Sequence, residues 1–385
     1  MHPSDEPGAA PAPRRPERRS PGVRATAALV AVVAVSLAGH QLVASAAYAQ
    51  AWPLWSAADA RYDEATDGHA AAVDRGEAAV DRATGLLEVA AGDLVAADDR
   101  AAVEAAVAEA ASVVAIRSGG ATGIAALTAP DDPAPAWDRY ADLWELAELI
   151  PDRHRAAERI EDSTVRVAAA TRALSDAADA LVDGAEATAA SVLDASPAAA
   201  YRTRAALEAA LDDSSGGSGS TVRLTDLATA VTAVRDSHAA EEERRRAHPV
   251  RAEIEAFARS IAFGVEIDFA WDYVVGGYSS DGWYSGTAEF FDDGEGWGLV
   301  SLSESIEQAW SWDENAKAVV VHEVGHTQVL REACHEIFSG PEFGGDHEAW
   351  ATAWAIGMGY DVPGSGIDAY GRPSDAQIAA ASACR

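Results

Sequence analysis

The chain has 385 residues and carries 62 acidic against 29 basic side chains, a formal net charge of −33. A balance that acidic repels phosphate backbones, so nucleic acid is not an expected partner, and it favours solubility. Hydrophobic residues make up 49% of the chain, so folded cores are within reach, and the length suggests more than one of them.

Residues 1–24 are rich in Pro, Ala and Arg, with Arg14, Arg15, Arg18, Arg19 and Arg24 outweighing Asp5, Glu6 and Glu17. This composition predicts a disordered, basic, cytoplasmic tail. No charged residue occurs over 25–58, and 25–47 is long enough to cross a bilayer as a helix. The arginines ahead of it place the N-terminus in the cytoplasm, with Trp52 and Trp55 in the outer interfacial belt. The same segment also fits a cleavable signal peptide, since Ala47-Tyr48-Ala49 is an A-x-A site and His40-Gln41 interrupts the apolar run. Both readings export the remainder, either on a single-pass membrane anchor or as a secreted protein.

Residues 56–211 are rich in Ala and poor in aromatics, with apolar heptad series at Val73, Val80, Leu87 and Leu94 and at Ile160, Val167, Leu174 and Leu181. That spacing predicts a long all-α stalk folded as an antiparallel hairpin, its reversal running from Gly119-Gly120 to Pro133 and Pro135. Trp137, Leu143, Trp144, Leu146, Leu149 and Ile150 form an aromatic patch expected to pack a helix end. Residues 212–220 (DDSSGGSGS) read as a flexible linker, and 221–247 as a further stalk helix with Leu227, Val231 and Val234 inward and a solvated EEERRR end. His248-Pro249 then breaks the helix and opens the last region, 248–385.

There Trp, Tyr, Phe and Gly rise, and 263–269, 288–291 and 297–303 read as strands, with Gly276-Gly277 and Asp292-Asp293-Gly294 as turns. Cys334 and Cys384 are the only cysteines; in an oxidising compartment they predict one disulfide. The strongest chemical signal is the run AKAVVVHEVGHTQVL, which places His322, Glu323 and His326 on an apolar helix. Residues four apart share a helix face, so both imidazoles can address one metal ion, for which zinc suits the donors. Glu323 would lean over the open coordination position as general base. A third ligand is still needed, and Glu348 in GGDHEAWATAWA is the expected one, with Asp346 a helix N-cap; His347 and Asp346 are the alternatives.

HExxH on one helix and a ligand Glu on the next resembles the gluzincin branch of the zincin metallopeptidases, over about the last 130 residues. That resemblance implies His322, His326 and Glu348 as zinc ligands, Glu323 as general base, a small α+β zincin-like domain, and a peptide or protein substrate. It implies as well that the strand ahead of the helix, 297–303, forms the cleft edge and pairs with an extended peptide. Thermolysin-like members support a zinc histidine with an Asp where this chain has Thr352, and the metzincin extension fails at Val329 and Glu332.

No GxSxG occurs, and neither cysteine has the context of a nucleophile. Two function classes remain: a membrane-anchored extracytoplasmic zinc peptidase, or a non-enzymatic surface module whose stalk binds a partner beside a structural or vestigial metal site. Zincins usually add a Tyr or His across the cleft to stabilise the oxyanion, and here Tyr360 and His335 are the candidates, Tyr360 following the Glu348 helix through Gly357-Met358-Gly359.

Overall fold

The computed structural model describes residues 21–90, 92–116, 127, 134–212, 219–291 and 296–385. Most of the expected basic tail lies outside them, as do Gly119, Gly120 and Pro133, most of the 212–220 linker and the turn at Asp292-Asp293-Gly294. The described chain is mostly helical, with a small sheet region towards the C-terminus. It divides into two compact units, one of Met1–Asp81 with Ala105–Ser175, the other of Arg82–Glu104 with Asp176–Arg385.

The first unit draws on three helices, α1 (Pro21–Val89), α2 (Ala97–Ala115) and α3 (Ala136–Ala195). At its N-terminal end α1 is long and apolar enough to cross a membrane, and it continues into the stalk without a break, through Pro53. The antiparallel pairing expected across the Gly119-to-Pro135 segment holds for α2 and α3, where Asp99 lies beside Gly184 and Val114 packs with Val167, but the heptad series of α1 does not pair with α3 in that sense. His40 meets Tyr140, Arg61 meets Glu161 and His69 meets Thr164, so partner positions rise together and α1 and α3 run parallel. The chain has already reversed ahead of α2, where Gly92 adopts φ 69°, a left-handed conformation that Gly takes at little cost.

The seam of α1 also differs from the expected one. Ala65, Ala72 and Ala79 are buried, each in phase one residue ahead of the predicted Val73 and Val80, which are only half-buried. Alanine lets α1 approach closely, while α3 supplies the bulk through Ile160 and Val167, so the larger side chain at each level comes from one helix. Of the aromatic patch, Leu146 is buried against Tyr48 and Trp55, but Trp137 and Trp144 point outward, 67% and 72% exposed. Trp55 is 1% exposed, so the interfacial role expected of it does not hold: the ring is core.

In the second unit, Arg100 donates to the Leu87 and Ala90 carbonyls and fastens the chain reversal there. Helices α4 (Tyr201–Asp212) and α5 (Ser220–Ala247) follow, α5 burying Leu224, Leu227, Val231 and Val234. The EEERRR end of α5 is not merely solvated: Arg244 bridges Glu241 and the fully buried Glu255 of α6 (Pro249–Ser260), which also accepts from Trp271 Nε1 at 2.9 Å. Two salt-bridge partners hold the Arg244 pKa above its ordinary value although burial opposes them.

After α6 the chain turns through Phe263 and Gly264, both with positive φ, so the first strand, β1 (Glu266–Asp272), starts later than expected. Two short strands, β2 (Val274–Val275) and β3 (Tyr278–Ser279), turn through Gly276 and Gly277; β4 (Gly286–Phe291) and β5 (Trp297–Ser303) complete the set. The three-stranded sheet has the order β1-β5-β4, with β5 parallel to β1 and antiparallel to β4. The edge role expected of 297–303 is therefore corrected. β5 is central and paired on both sides, and the strand with one open side beside the helices is β4.

After the sheet come α7 (Glu304–Ala309), α8 (Glu314–Thr327), α9 (Glu332–Phe338), α10 (His347–Gly357), α11 (Ile367–Tyr370) and α12 (Asp375–Ser382), with α8 packed against β4 and β5. One core joins Val300 and Leu302 of β5, Val320, Val321 and Val324 of α8, and Trp350 and Trp354 of α10. Cys334 and Cys384 are paired with Cα atoms 5.5 Å apart, and the Cys384 carbonyl accepts from Trp354 Nε1 at 3.2 Å, so the C-terminal residues brace α10.

The α1 seam makes a paired prediction. A Cβ at Gly76 would stand 2.7 Å from Val114 Cγ2, whereas Gly68 is exposed with no atom within 4 Å. Gly76→Leu should destabilise by about 1–3 kcal/mol through overpacking, and Gly68→Ala should stabilise by about 0.5–1 kcal/mol, both read by denaturation of the full chain in detergent.

Candidate metal centre

Helix α8 starts at Asp313, whose side chain accepts from the Asn315 amide, and from Ala316 it is apolar on nearly every side, so it can only be stable inside the core. This burial carries His322, Glu323 and His326 inward, at 5%, 5% and 7% exposure. Helix α10 starts at Asp346, which accepts from the amides of Glu348 and Ala349 at 3.1 Å and thereby sets Glu348 in the first turn. The two helices touch at Gly325, where an added Cβ would lie 3.2 Å from the Ala351 backbone and where the Gly325 carbonyl accepts from Trp350 Nε1 at 2.9 Å. A side chain at 325 would hold α10 away and pull Glu348 off the histidines.

As built, three donor atoms converge. His322 Nε2 lies 3.2 Å from Glu348 Oε2, His326 Nε2 lies 3.4 Å from the same oxygen, and the two Nε2 atoms are 3.1 Å apart. The edge of a tetrahedron with ligand bonds of about 2.0–2.1 Å is about 3.3 Å, so this triangle has the size of one face of a metal coordination shell. Hydrogen bonding supports the same reading. His322 Nδ1 sits 3.0 Å from the Ser365 carbonyl, which can only accept, so Nδ1 carries a proton and Nε2 is the nitrogen turned to the Glu348 carboxylate, where a proton or a metal cation would bridge the two. His322, His326 and Glu348 could thus hold a metal ion, with the open side towards Glu348, whose side chain is 41% exposed.

The charge balance is consistent with such a site. Burial pushes the His322 pKa down, but Glu348 and Glu323 more than offset it and the net direction is up. Burial likewise opposes ionisation of Glu348, yet the two imidazoles hold its carboxyl well below the usual range. Asp346 and His347 stand outside the trio: Asp346 is the N-cap, and the His347 ring lies against Phe338 and Phe290, at 4.5 and 5.1 Å between centroids, as an aromatic wall beside His326.

No protein-family model, no curated protein and no solved structure matches the chain.

Glu323 Oε2 is buried with no hydrogen-bond partner. Burial raises its pKa, the two histidines oppose that, and Glu348 adds to it, leaving a carboxylate more basic than usual beside the ligands. Its neighbour in β4 is Gly286, where a Cβ would stand 2.7 Å from Glu323 Oε1, so glycine there is what admits the carboxylate under the strand.

Tyr360, expected across the cleft, is elsewhere. Its amide donates to the Ala355 carbonyl, Gly359 turns the chain with φ 102°, and the phenol joins Trp310, Trp312 and Glu314 at the start of α8. His335 lies on α9 beside Phe338. The aromatic group at the site is Tyr370, which the sequence reading missed. Its ring stacks on His322 with centroids 5.8 Å apart and planes 7° from parallel, and its phenol lies in the field of Glu348. Burial first, then Glu348 and Glu323, push its pKa up to about 12, so it stays a proton donor at neutral pH. Nothing in the periodicity near Tyr370 marks it; the one signal is the PGSG turn ahead of it, which returns the chain to His322 at Ser365 and Gly366.

The Thr352 hydroxyl, at the position of the absent Asp, is buried without a partner, and His322 is oriented by the Ser365 carbonyl instead. Gly366 is essential to that contact: it has φ 101°, and a Cβ there would lie 2.8 Å from His322 Nδ1 and press on Thr352 Oγ1. Gly366→Ala is expected to weaken metal binding about 10–100-fold in a competition titration. Gly359→Ala, with a similar φ of 102° and no atom within 4 Å, should leave the affinity unchanged and so separates backbone strain from displacement of the ligand.

Proposed function

We propose that the second unit is a zinc-dependent peptidase of gluzincin type, exported on the N-terminal helix, and that it hydrolyses peptide bonds. The observation that carries this reading is a buried, basic carboxylate, Glu323, whose Oε2 has no hydrogen-bond partner, beside three donor atoms that could hold a metal and that reach solvent on the Glu348 side. A structural zinc site fills four positions with protein ligands and has no use for such a group, whereas a hydrolase needs both the group and the opening.

His322, His326 and Glu348 would hold the ion, and bound there it would supply Lewis-acid polarisation of the substrate carbonyl and acidify water. Glu323 accepts the proton of the attacking water and delivers it to the leaving amine. The Tyr370 phenol is in reach of charge that develops on the carbonyl oxygen, and its raised pKa keeps it a donor there. The open side of β4 offers its backbone to an extended substrate, since among the described residues β4 pairs only with β5. Gly286, Ala288 and Phe290 share the β4 face that turns to Glu323 and His347, so the chain would lie along a small-residue floor ending in an aromatic wall.

The test is cleavage of a peptide library by the full chain, with and without chelator. Glu323→Gln should lose about 10²–10⁴-fold in turnover and Tyr370→Phe about 10²-fold, both with the metal retained, while Tyr360→Phe should turn over like the parent chain. A fully active Glu323→Gln variant would refute the mechanism.

A further inference from the structure

The first unit leaves two tryptophans in water without an evident reason. Trp137 and Trp144 are 67% and 72% exposed, and with Tyr140, 41% exposed, they lie at i, i+3 and i+7, one stripe on the outer face of α3. They are not loose core: the core beneath is complete, with Leu146, Tyr48 and Trp55 in contact and Leu143 and Ile150 against them.

Their place along α1 supplies the reason. About 20 helical residues cross the hydrocarbon core, so a span that begins at Ala25 ends near residue 44. Through that stretch α1 exposes Leu29, Val32, Val35, Leu37 and Leu42, and Ala44, at 0%, is the first fully buried residue of α1 among the described ones. The start of α3 is fastened at this level: Gln41 Nε2 donates to the Ala134 carbonyl at 2.8 Å, and His40 Nδ1 lies 3.4 Å from the Tyr140 hydroxyl. Because α1 and α3 run parallel, the first turns of α3 lie where α1 leaves the apolar layer.

We propose that the Trp137–Tyr140–Trp144 stripe is a membrane-interface anchor, seated at the headgroup level of a zwitterionic bilayer beside the exit of α1. The reading rests on α1 as a transmembrane helix, and it moves the belt role from Trp55, which is core, to α3. Tryptophan favours this zone because its ring is apolar and its N–H needs a polar partner. The orientation agrees: Trp144 Nε1 donates to Glu148 Oε1 at 3.1 Å, one turn further along α3, so its polar edge faces away from the apolar layer. Seven residues along a helix are about 10 Å, comparable to the interfacial zone of one leaflet. Asp138 and Asp142 interleave with the stripe and Glu145 and Glu148 follow it, while the one cation among them, Arg139, is buried over the Tyr48 ring, which favours zwitterionic over anionic headgroups.

Both native cysteines are paired, so a nitroxide attached to one introduced cysteine reports a single position. Full-length chains carrying Val35→Cys, Trp137→Cys, Trp144→Cys or Glu158→Cys would be placed in phosphatidylcholine vesicles and their collisions with oxygen and a water-soluble nickel complex compared. Val35 should read as membrane core and Glu158 as water, with 137 and 144 between them and several-fold more oxygen-favouring than Glu158. As a check free of the label, Trp137→Phe/Trp144→Phe should lose part of the tryptophan quenching caused by lipids brominated near the headgroup. Labels at 137 and 144 that match Glu158 while Val35 reads as core would overturn the anchor alone, as would low access to both reagents, which means a protein partner. A Val35 label in water would instead remove the transmembrane helix on which it rests.

Discussion

The closest approach of α8 and α10 sets what the second unit can do. Gly325 offers no side chain to Ala351, and the Trp350 indole bonds to the Gly325 carbonyl, so two buried helices meet nearly backbone to backbone. At that separation one carboxylate on the first turn of α10 reaches both imidazoles of α8, and the donor triangle closes at 3.1–3.4 Å. The core is built to keep this spacing: Trp350 and Trp354 are fully buried, and the Trp354 indole is tied through the Cys384 carbonyl to the Cys334–Cys384 pair. A disulfide closing a loop of about 50 residues contributes roughly 3–4 kcal/mol in the chain-entropy model, and here it acts on the helix that carries Glu348.

The outer arrangement of the site is unlike the one its motif suggests. A carboxylate supporting a metal-bound histidine makes the imidazole more basic, whereas the neutral Ser365 carbonyl fixes the same tautomer with less added charge. The geometry this needs is strict, because the chain passes His322 so closely that only glycine fits at 366. Glycine at 286 plays the matching part on the other side of the cleft, where it makes room for Glu323. Two glycines far apart in sequence thus bracket one side chain pair, and backbone takes the place of side chains around the centre.

How much of this was legible in the sequence follows from the range of each interaction. Local signals carried far: β5 runs over Trp297–Ser303 as its composition indicates, Asp346 caps α10, and Leu227, Val231 and Val234 line α5. Heptad spacing located the stalk helices but not their mutual direction, since parallel and antiparallel pairs share the same period, and the deciding turn hangs on Gly92. The α1 seam lies one residue from the positions that apolar bulk indicates, because Ala65, Ala72 and Ala79 are buried for being small. Tyr370 and the Ser365 carbonyl lay beyond reach: both come to His322 through a loop whose path is set by tertiary packing, while Tyr360, nearer in sequence to Glu348, is turned away at Gly359. The position of β5 within the sheet is of the same kind, since strand order is not written in any one strand.

The central claim is a mononuclear centre held by two imidazoles and one carboxylate. X-ray absorption at the zinc edge, on the full chain loaded with one equivalent of zinc in detergent, tests it most directly. The account predicts four light-atom neighbours at about 2.0–2.1 Å, outer-shell scattering from two imidazoles, and loss of that signature in His326→Ala. Sulfur scattering at about 2.3 Å, imidazole scattering unchanged in His326→Ala, or a chain that takes up no zinc would contradict it.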